Sequence, residues 1–264
     1  VQAGVSARME RVEFVKERPD LMILIDCLTL RVDVDIRPVF IYGRYRKLDR
    51  GIPQTRWPCR ACRGRAEGCE ACEGTGLQYP DSVQDLIGEP FRLVLSAEDT
   101  SFHGMGREDI DVRCLGRGRP FVLEVKRPKV RRTDLEEVME AVNSNATGKI
   151  EISDLRWTNR SEVSRIKETR AEKSYTIRFS VEEPPEESFI VDSITKLSGV
   201  TLEQQTPKRV SHRRADKNRK RKVVSIDNVL VEDNEVQFSV RCEAGTYVKE
   251  LVHSDEGRTV PSVV

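Results

Sequence analysis

GREDIDVR, Gly106 to Arg113, is the stretch on which the reading of this chain turns. It sets Glu108, Asp109 and Asp111 among a glycine and two arginines, which makes it a polar loop presenting carboxylates beside cations. A carboxylate so placed can act as a nucleophile or as an electrostatic stabiliser. Alone the pattern is weak, because an acid in such a loop commonly forms a turn or an ion pair. Two further stretches in chain order give it weight. Lys173-Ser174-Tyr175 brings a ring able to stack on a base, and AGTYVKELVH, Ala244 to His253, brings in Lys249 a cation able to hold a carboxylate in place.

Around these stretches the composition is that of a chain with extensive polar surface: 264 residues, 34% charged, 38% hydrophobic, with a mean hydropathy of −0.52. The length suits one large or two smaller domains, each able to bury a core. No apolar run approaches the roughly 18 residues of a membrane span, and no signal peptide is read. The expectation is a cytoplasmic protein with no membrane partner and no evident protein partner.

A net charge of +1 argues against nucleic acid only until its distribution is seen. Thr206 to Lys222 holds nine Lys or Arg and one acid, and Lys126 to Arg132 holds five bases in seven residues. The acids gather at Glu182 to Glu187 and Asp134 to Glu140. Two basic runs flanking the candidate site favour a phosphate track over solvated loops. Arg213, Arg214, Arg219 and Arg221 are the expected contacts in the longer run.

Helix and strand signals alternate after residue 80. Ser82 to Asp85 has the form of a capping box, and Thr133 to Glu136 repeats it ahead of Leu135, Val138, Met139 and Val142 at helical spacing. Further helices are predicted at Ser161 to Thr169 and Glu186 to Leu197. Strands are predicted at Leu21 to Cys27, Thr29 to Ile36, Phe121 to Lys126, Lys149 to Trp157, Tyr175 to Val181, Val223 to Val231 and Glu235 to Cys242, the last two joined by an Asp233-Asn234 turn. The fold class is α+β, a mixed and mostly antiparallel sheet with flanking helices.

Cys59, Cys62, Cys69 and Cys72 form C-x2-C-x6-C-x2-C, the spacing of two knuckle turns that present four sulfurs tetrahedrally to zinc. Four thiolates close the site, so the metal would be structural. Two disulfides, or reduced thiols without metal, are the competing readings. Cys27, Cys114 and Cys242 lack partner spacing and read as small buried hydrophobes.

The order of Asp, Tyr and Lys in these motifs resembles the pseudouridine synthases. FIYGRYRKL (Phe40 to Leu48), the cysteine cluster, GRGRPFVLEVKRP (Gly116 to Pro128), QQTPKRVSHRRAD (Gln204 to Asp216) and HSDEGRT (His253 to Thr259) narrow the resemblance. They point to the archaeal and eukaryotic tRNA pseudouridine synthase family that acts on T-loop uridines 54 and 55. The resemblance implies the pseudouridine synthase fold, a tRNA substrate met at its T loop, and no organic cofactor. It implies Asp109 as nucleophile, Lys249 as its ionic partner and Tyr175 as the stacking ring, with Arg107 and Arg113 as further substrate contacts.

It also implies an organisation in which 1–38 is the tail of an N-terminal accessory RNA-binding domain. Residues 39–80 would then be a connecting segment with the zinc cluster, and 81–264 a catalytic domain truncated at its C-terminal end. The alternative from the residues alone is a non-catalytic, zinc-dependent RNA-binding module.

Overall fold

The computed structural model describes residues 13–263. It divides into two compact units, one running to Thr169 and the other from Arg170. Strand pairing among the described residues is antiparallel throughout and falls into three sheets rather than one.

The first unit opens with a hairpin of β1 (Leu21–Asp26) and β2 (Arg31–Ile36). Its register sets Leu21 against Ile36, Ile23 against Val34 and Ile25 against Val32, so one face is wholly apolar. Cys27, read as a buried hydrophobe, lies exposed in the turn, because the tip of a two-stranded ribbon has nothing to pack against. Next come β3 (Val39–Lys47), α1 (Val83–Val94), β4 (Asp99–Gly104), β5 (Cys114–Lys126), α2 (Leu135–Asn145), β6 (Ile150–Thr158) and α3 (Arg160–Glu168). The four strands order as β4-β5-β3-β6. Residues 39–47, read as the start of a connecting segment, are therefore a central strand.

Period-2 alternation makes β3 the keel of this unit. Ile41, Gly43, Tyr45 and Lys47 turn to one face, where Val83, Ile87 and Phe91 of α1 and Val138 and Val142 of α2 complete the main core. Gly43 is needed for closeness, since an added Cβ would sit 2.5 Å from the Leu155 side chain and 2.8 Å from the Phe121 ring. Phe40 and Val122 face the other way, onto Ile166 of α3. Helices thus cover both faces of the sheet.

Ser82 caps α1 as its sequence predicts, its Oγ accepting from the Asp85 amide at 3.1 Å. At α2 the cap is Asp134 rather than Thr133, accepting from the amides of Glu136 (2.8 Å) and Glu137 (3.4 Å). An aspartate beside a threonine offers the stronger acceptor at the positive helix end, and the box shifts by one residue.

The second unit comprises β7 (Lys173–Ser180), α4 (Glu187–Thr195), β8 (Thr201–Gln204), a 3-10 turn at Lys208–Arg213, β9 (Arg219–Glu232), β10 (Glu235–Cys242), α5 (Val248–His253) and β11 (Thr259–Val260). Its sheet orders as β11-β8-β9-β10-β7, over a core of Ile190, Ile194, Leu202, Val223, Phe238, Val240 and Leu251. The β9–β10 hairpin turns at Asp233-Asn234, with Asp233 in the left-handed region at φ 52°. No helix among the described residues is long and apolar enough to cross a membrane.

Candidate functional site

The loop between β4 and β5 carries GREDIDVR, and its backbone is held from within by side chains. Arg119 Nη1 donates to Met105 O at 2.7 Å, and Gln54 Nε2 to Gly106 O at 3.1 Å. The fully buried ammonium of Lys47 donates to Asp109 O at 3.2 Å, Ile110 O at 2.9 Å and Ile52 O at 2.9 Å. Arg50 donates to Asp111 O.

Neighbouring acids in this loop have separate roles. Glu108 is buried: Tyr45 Oη donates to both of its carboxylate oxygens at 2.8 Å, Gln54 Nε2 lies 3.3 Å from one, and Arg119 Nε pairs with it at 2.8 Å. Burial first, then the charge of Glu108, pushes the Tyr45 phenol well above its usual range, so it remains a neutral donor. Asp109, one residue on, is half-buried, and Arg107, Asp111 and Arg113 are exposed. The Arg107 guanidinium lies 5.7 Å from the centroid of the Trp57 ring, which also meets Tyr79 edge-on at 5.6 Å.

Tyr175 lies on β7, the edge strand of the second unit's sheet, opposite Val240 and on the face of Ile177 and Phe179. Lys249 is the second residue of α5, half-buried, in a helix that places Leu251 in the core. The turn leading into that helix is fixed by Gln204, which accepts from Tyr247 N at 2.9 Å and donates to Tyr247 O at 3.0 Å. Asp109 and Arg107 belong to the first unit and Tyr175 and Lys249 to the second; each is placed here within its own unit.

The basic runs differ in how they are used. In Lys126 to Arg132, Lys126 pairs with Asp99, Arg127 with Glu98, Arg131 with Asp20, and Arg132 lies 4.6 Å from the centroid of the Trp157 ring. These cations already have partners at the surface of the first unit. In Thr206 to Lys222, Arg209 pairs with buried Glu250 at 2.6 Å. Arg219 donates to Thr206 Oγ1 at 2.8 Å, and the Arg221 guanidinium packs over Gly245, its Nε 3.4 Å from where a Cβ would sit. Arg214, Lys217, Lys220 and Lys222 are exposed, while the Arg213 side chain lies outside the described atoms.

The four cysteines converge. Their sulfurs all lie within 4.8 Å of one another, with Cys59 to Cys69 at 4.0 Å and Cys62 to Cys72 at 3.8 Å. Zn–S bonds of about 2.3 Å in a tetrahedron put sulfurs about 3.8 Å apart, whereas a disulfide needs about 2.05 Å. The donor set fits a tetrahedral metal. A backbone hydrogen bond from Ala66 leads the causes that draw the Cys62 thiol down to about 6, while a hydrogen bond with Cys72 leads those that push Cys69 up to about 11. The Gly76 amide approaches Cys72 Sγ at 3.2 Å. Of the three remaining cysteines, Cys242 is buried and its thiol pushed up to about 11 by that burial.

Antiparallel sheets with covering helices, a carboxylate loop pinned by buried donors and a loop of four converging cysteines make this an α+β chain of a defined class. Residues 40–264 match the family described as "Pus10, C-terminal", and the chain belongs to that family. It is 49% identical over 247 residues to the tRNA pseudouridine synthase Pus10 of Methanothrix thermoacetophila, covering 93% of this chain and 54% of that one. Against the enzyme of the same name from Methanocaldococcus jannaschii it is 46% identical, covering 94% and 54%. Against that of Archaeoglobus fulgidus it is 44% identical, covering 93% and 67%. The chain thus spans about half the length of the first of these relatives. A crystal structure of a Cbf5-Nop10-Gar1 complex aligns with a TM-score of 0.37 at 20% identity over 63% of this chain and 38% of that one, a likeness too distant to bear on function.

Sequence reasoning missed Tyr45, Lys47 and Gln54 as residues of the site. The partners that draw them into the site, Glu108, Asp109 and Gly106, lie 52 to 63 residues further along the chain, so no local pattern marks them.

Proposed function

We propose that the chain carries the catalytic machinery of a tRNA pseudouridine synthase that isomerises uridine at T-loop position 54, 55 or both, in the cytoplasm. The reaction breaks the N1–C1′ bond, turns the base and joins C1′ to C5; C5 gives up a proton and N1 gains one. Nothing is oxidised or reduced, so no redox cofactor is required. Asp109 is the nucleophile, Lys249 orients its carboxylate, and Tyr175 stacks on the uracil once the nucleotide leaves its helix, contributing about 1–3 kcal/mol against a flipping cost of a few kcal/mol. Arg107 and Arg113 meet the RNA beside the reacting nucleotide. Arg213, Arg214, Arg219 and Arg221 belong to a phosphate track, in which Arg214 is the exposed and outward contact and Arg219 and Arg221 shape the loops from which it projects. The four cysteines hold a structural zinc that fixes the loop carrying Trp57.

The observation that carries this reading is the division of labour inside GREDIDVR. Glu108 is buried against Arg119 and Tyr45, which leaves half-buried Asp109 and exposed Asp111 as the acids a substrate can meet, and of these it is Asp109 that falls on the motif carrying the family resemblance. Membership of the family, with relatives named tRNA pseudouridine synthase Pus10, supports it. The test is incubation with unmodified tRNA transcript, then carbodiimide labelling and primer extension, because an isomerisation leaves mass unchanged. Label at one or both T-loop uridines is expected. Its absence, with tRNA binding intact, would favour the zinc-dependent RNA-binding module instead.

A further inference from the structure

Lys47 ends a strand whose inward positions run Ile41, Gly43, Tyr45, Lys47, and it occupies a place that the alternation assigns to an apolar side chain. Its side chain is fully buried. Burying an ammonium is costly unless its donors are satisfied, and a well-packed apolar residue would serve the fold at least as well. Burial draws its pKa below the usual lysine range, while Glu108 pulls the other way.

What Lys47 gains is a set of three carbonyls: Ile52 O, Asp109 O and Ile110 O, at 2.9, 3.2 and 2.9 Å. Two of the three belong to consecutive peptide units, Asp109–Ile110 and Ile110–Asp111. The same units are fixed from other directions, by Gly51 N donating to Ile110 O at 3.0 Å and Val112 N to Asp109 O at 3.2 Å. With those carbonyls drawn toward the core, the direction in which the Asp109 side chain leaves the backbone is set.

We infer that Lys47 is a positioning residue for the reaction: it clamps the backbone of the Asp109 loop from beneath and so fixes the carboxylate's place before substrate arrives. The inference rests on the reading of Asp109 as nucleophile. A displacement of about 1 Å at a reacting group can cost about a hundredfold in rate, and loss of this clamp should act on that scale without touching the RNA-binding surface.

The test compares Lys47→Met, Lys47→Gln and Asp109→Asn on unmodified tRNA, measuring single-turnover pseudouridine formation at saturating protein and, separately, tRNA affinity. Lys47→Met should lower the rate by about a hundredfold. Lys47→Gln, which keeps an amide donor, should recover part of that loss, and affinity should stay near wild type in both. If the Met variant does not give a cooperative melt, the Gln variant decides alone, its rate falling while its affinity holds. Rates close to wild type, or rate and affinity falling together, would overturn the inference. Asp109→Asn separates the two claims. If it retains activity, the nucleophile is misassigned whatever Lys47 does; if it is dead while both Lys47 variants are normal, only the clamp fails.

Discussion

The loop that carries Asp109 and the loop that carries the four cysteines are both poor in apolar side chains, yet they are held by opposite means. The first is pinned by buried side chains of its own unit: Lys47, Gln54 and Arg119 take up its carbonyls, and Glu108 anchors it to Tyr45. The second has a few turn hydrogen bonds, such as Cys59 N to Gly76 O at 2.7 Å and Gln78 N to Trp57 O at 2.9 Å, and four sulfurs facing one another. A loop clamped by the folded chain is rigid before anything binds. A loop closed by thiolates is rigid only with a cation among them. The two touch where Arg107 lies over Trp57, so the metal loop also steadies one edge of the other.

Metal removal should separate them most sharply. Protein purified under reducing conditions without chelator is expected to hold close to one zinc per chain. Stripping it should abolish amide protection over residues 57–79 and change Trp57 fluorescence, since structural zinc supplies about 10–16 kcal/mol in zinc-finger peptides. Protection at β3 and β5 should persist. Less than half an equivalent of zinc, or loss of protection in both loops together, would contradict the contrast.

Breaking the other loop should cost the fold less. Glu108→Ala leaves the Arg119 guanidinium, 10% exposed, without its partner. A loss of about 3–5 kcal/mol is expected from denaturant unfolding of the first unit, with Glu108→Gln milder because it still accepts from Tyr45. An unchanged stability for Glu108→Ala would mean that the network does not hold the loop.

The contrast between held and available groups extends to the basic runs. Replacing Arg214 and Lys222, both exposed, by alanine should flatten the salt dependence of tRNA affinity by about 0.7–0.9 per contact. Arg131→Ala, whose side chain pairs with Asp20, should lower stability and leave the slope alone. Equal slopes for all would return both runs to solvated surface.

The smallest effect concerns HSDEGRT. Ser254, Asp255 and Glu256 all adopt positive φ, at 65°, 54° and 58°. Glu256 gains there only an exposed pair with Lys208. Glu256→Gly should raise stability by about 0.5–1 kcal/mol, because relief of the left-handed conformation, worth about 1–2 kcal/mol to a side chain, outweighs the extra backbone freedom that glycine loses on folding. A lower melting temperature would show that the Lys208 pair matters more than the strain.

Periodic stretches were legible in the sequence, and long-range polar contacts were not. The β9–β10 hairpin, the Ser82 cap and the helix from Leu135 follow from local pattern. β4 (DTSFHG) went unread because its composition is that of a loop, and its strand identity comes from pairing with β5. The four-cysteine spacing pointed to its own geometry. The spacing of the motif set Asp109 apart from Glu108, but the burial of Glu108 could not be read from it, since that depends on Arg119 and on Tyr45, 63 residues away in the chain. Lys47 was hidden for a similar reason: a basic residue at the end of a strand reads as an exit to solvent, and only its contacts 62 and 63 residues on show it buried. That Lys126, Arg127 and Arg131 pair with Asp99, Glu98 and Asp20 was not legible either, because those acids lie elsewhere in the chain.

The central claim is that, of the acids in one loop, Asp109 does the chemistry while Glu108 and Asp111 do not. Single-turnover pseudouridine formation by Asp109→Asn and Asp111→Asn on the same tRNA tests it directly. Asp109→Asn should bind tRNA normally and lose more than about a thousandfold in rate, equivalent to about 4 kcal/mol of barrier, while Asp111→Asn stays much closer to wild type. Near-normal turnover by Asp109→Asn, or an equal collapse of both variants with folding intact, would contradict the account.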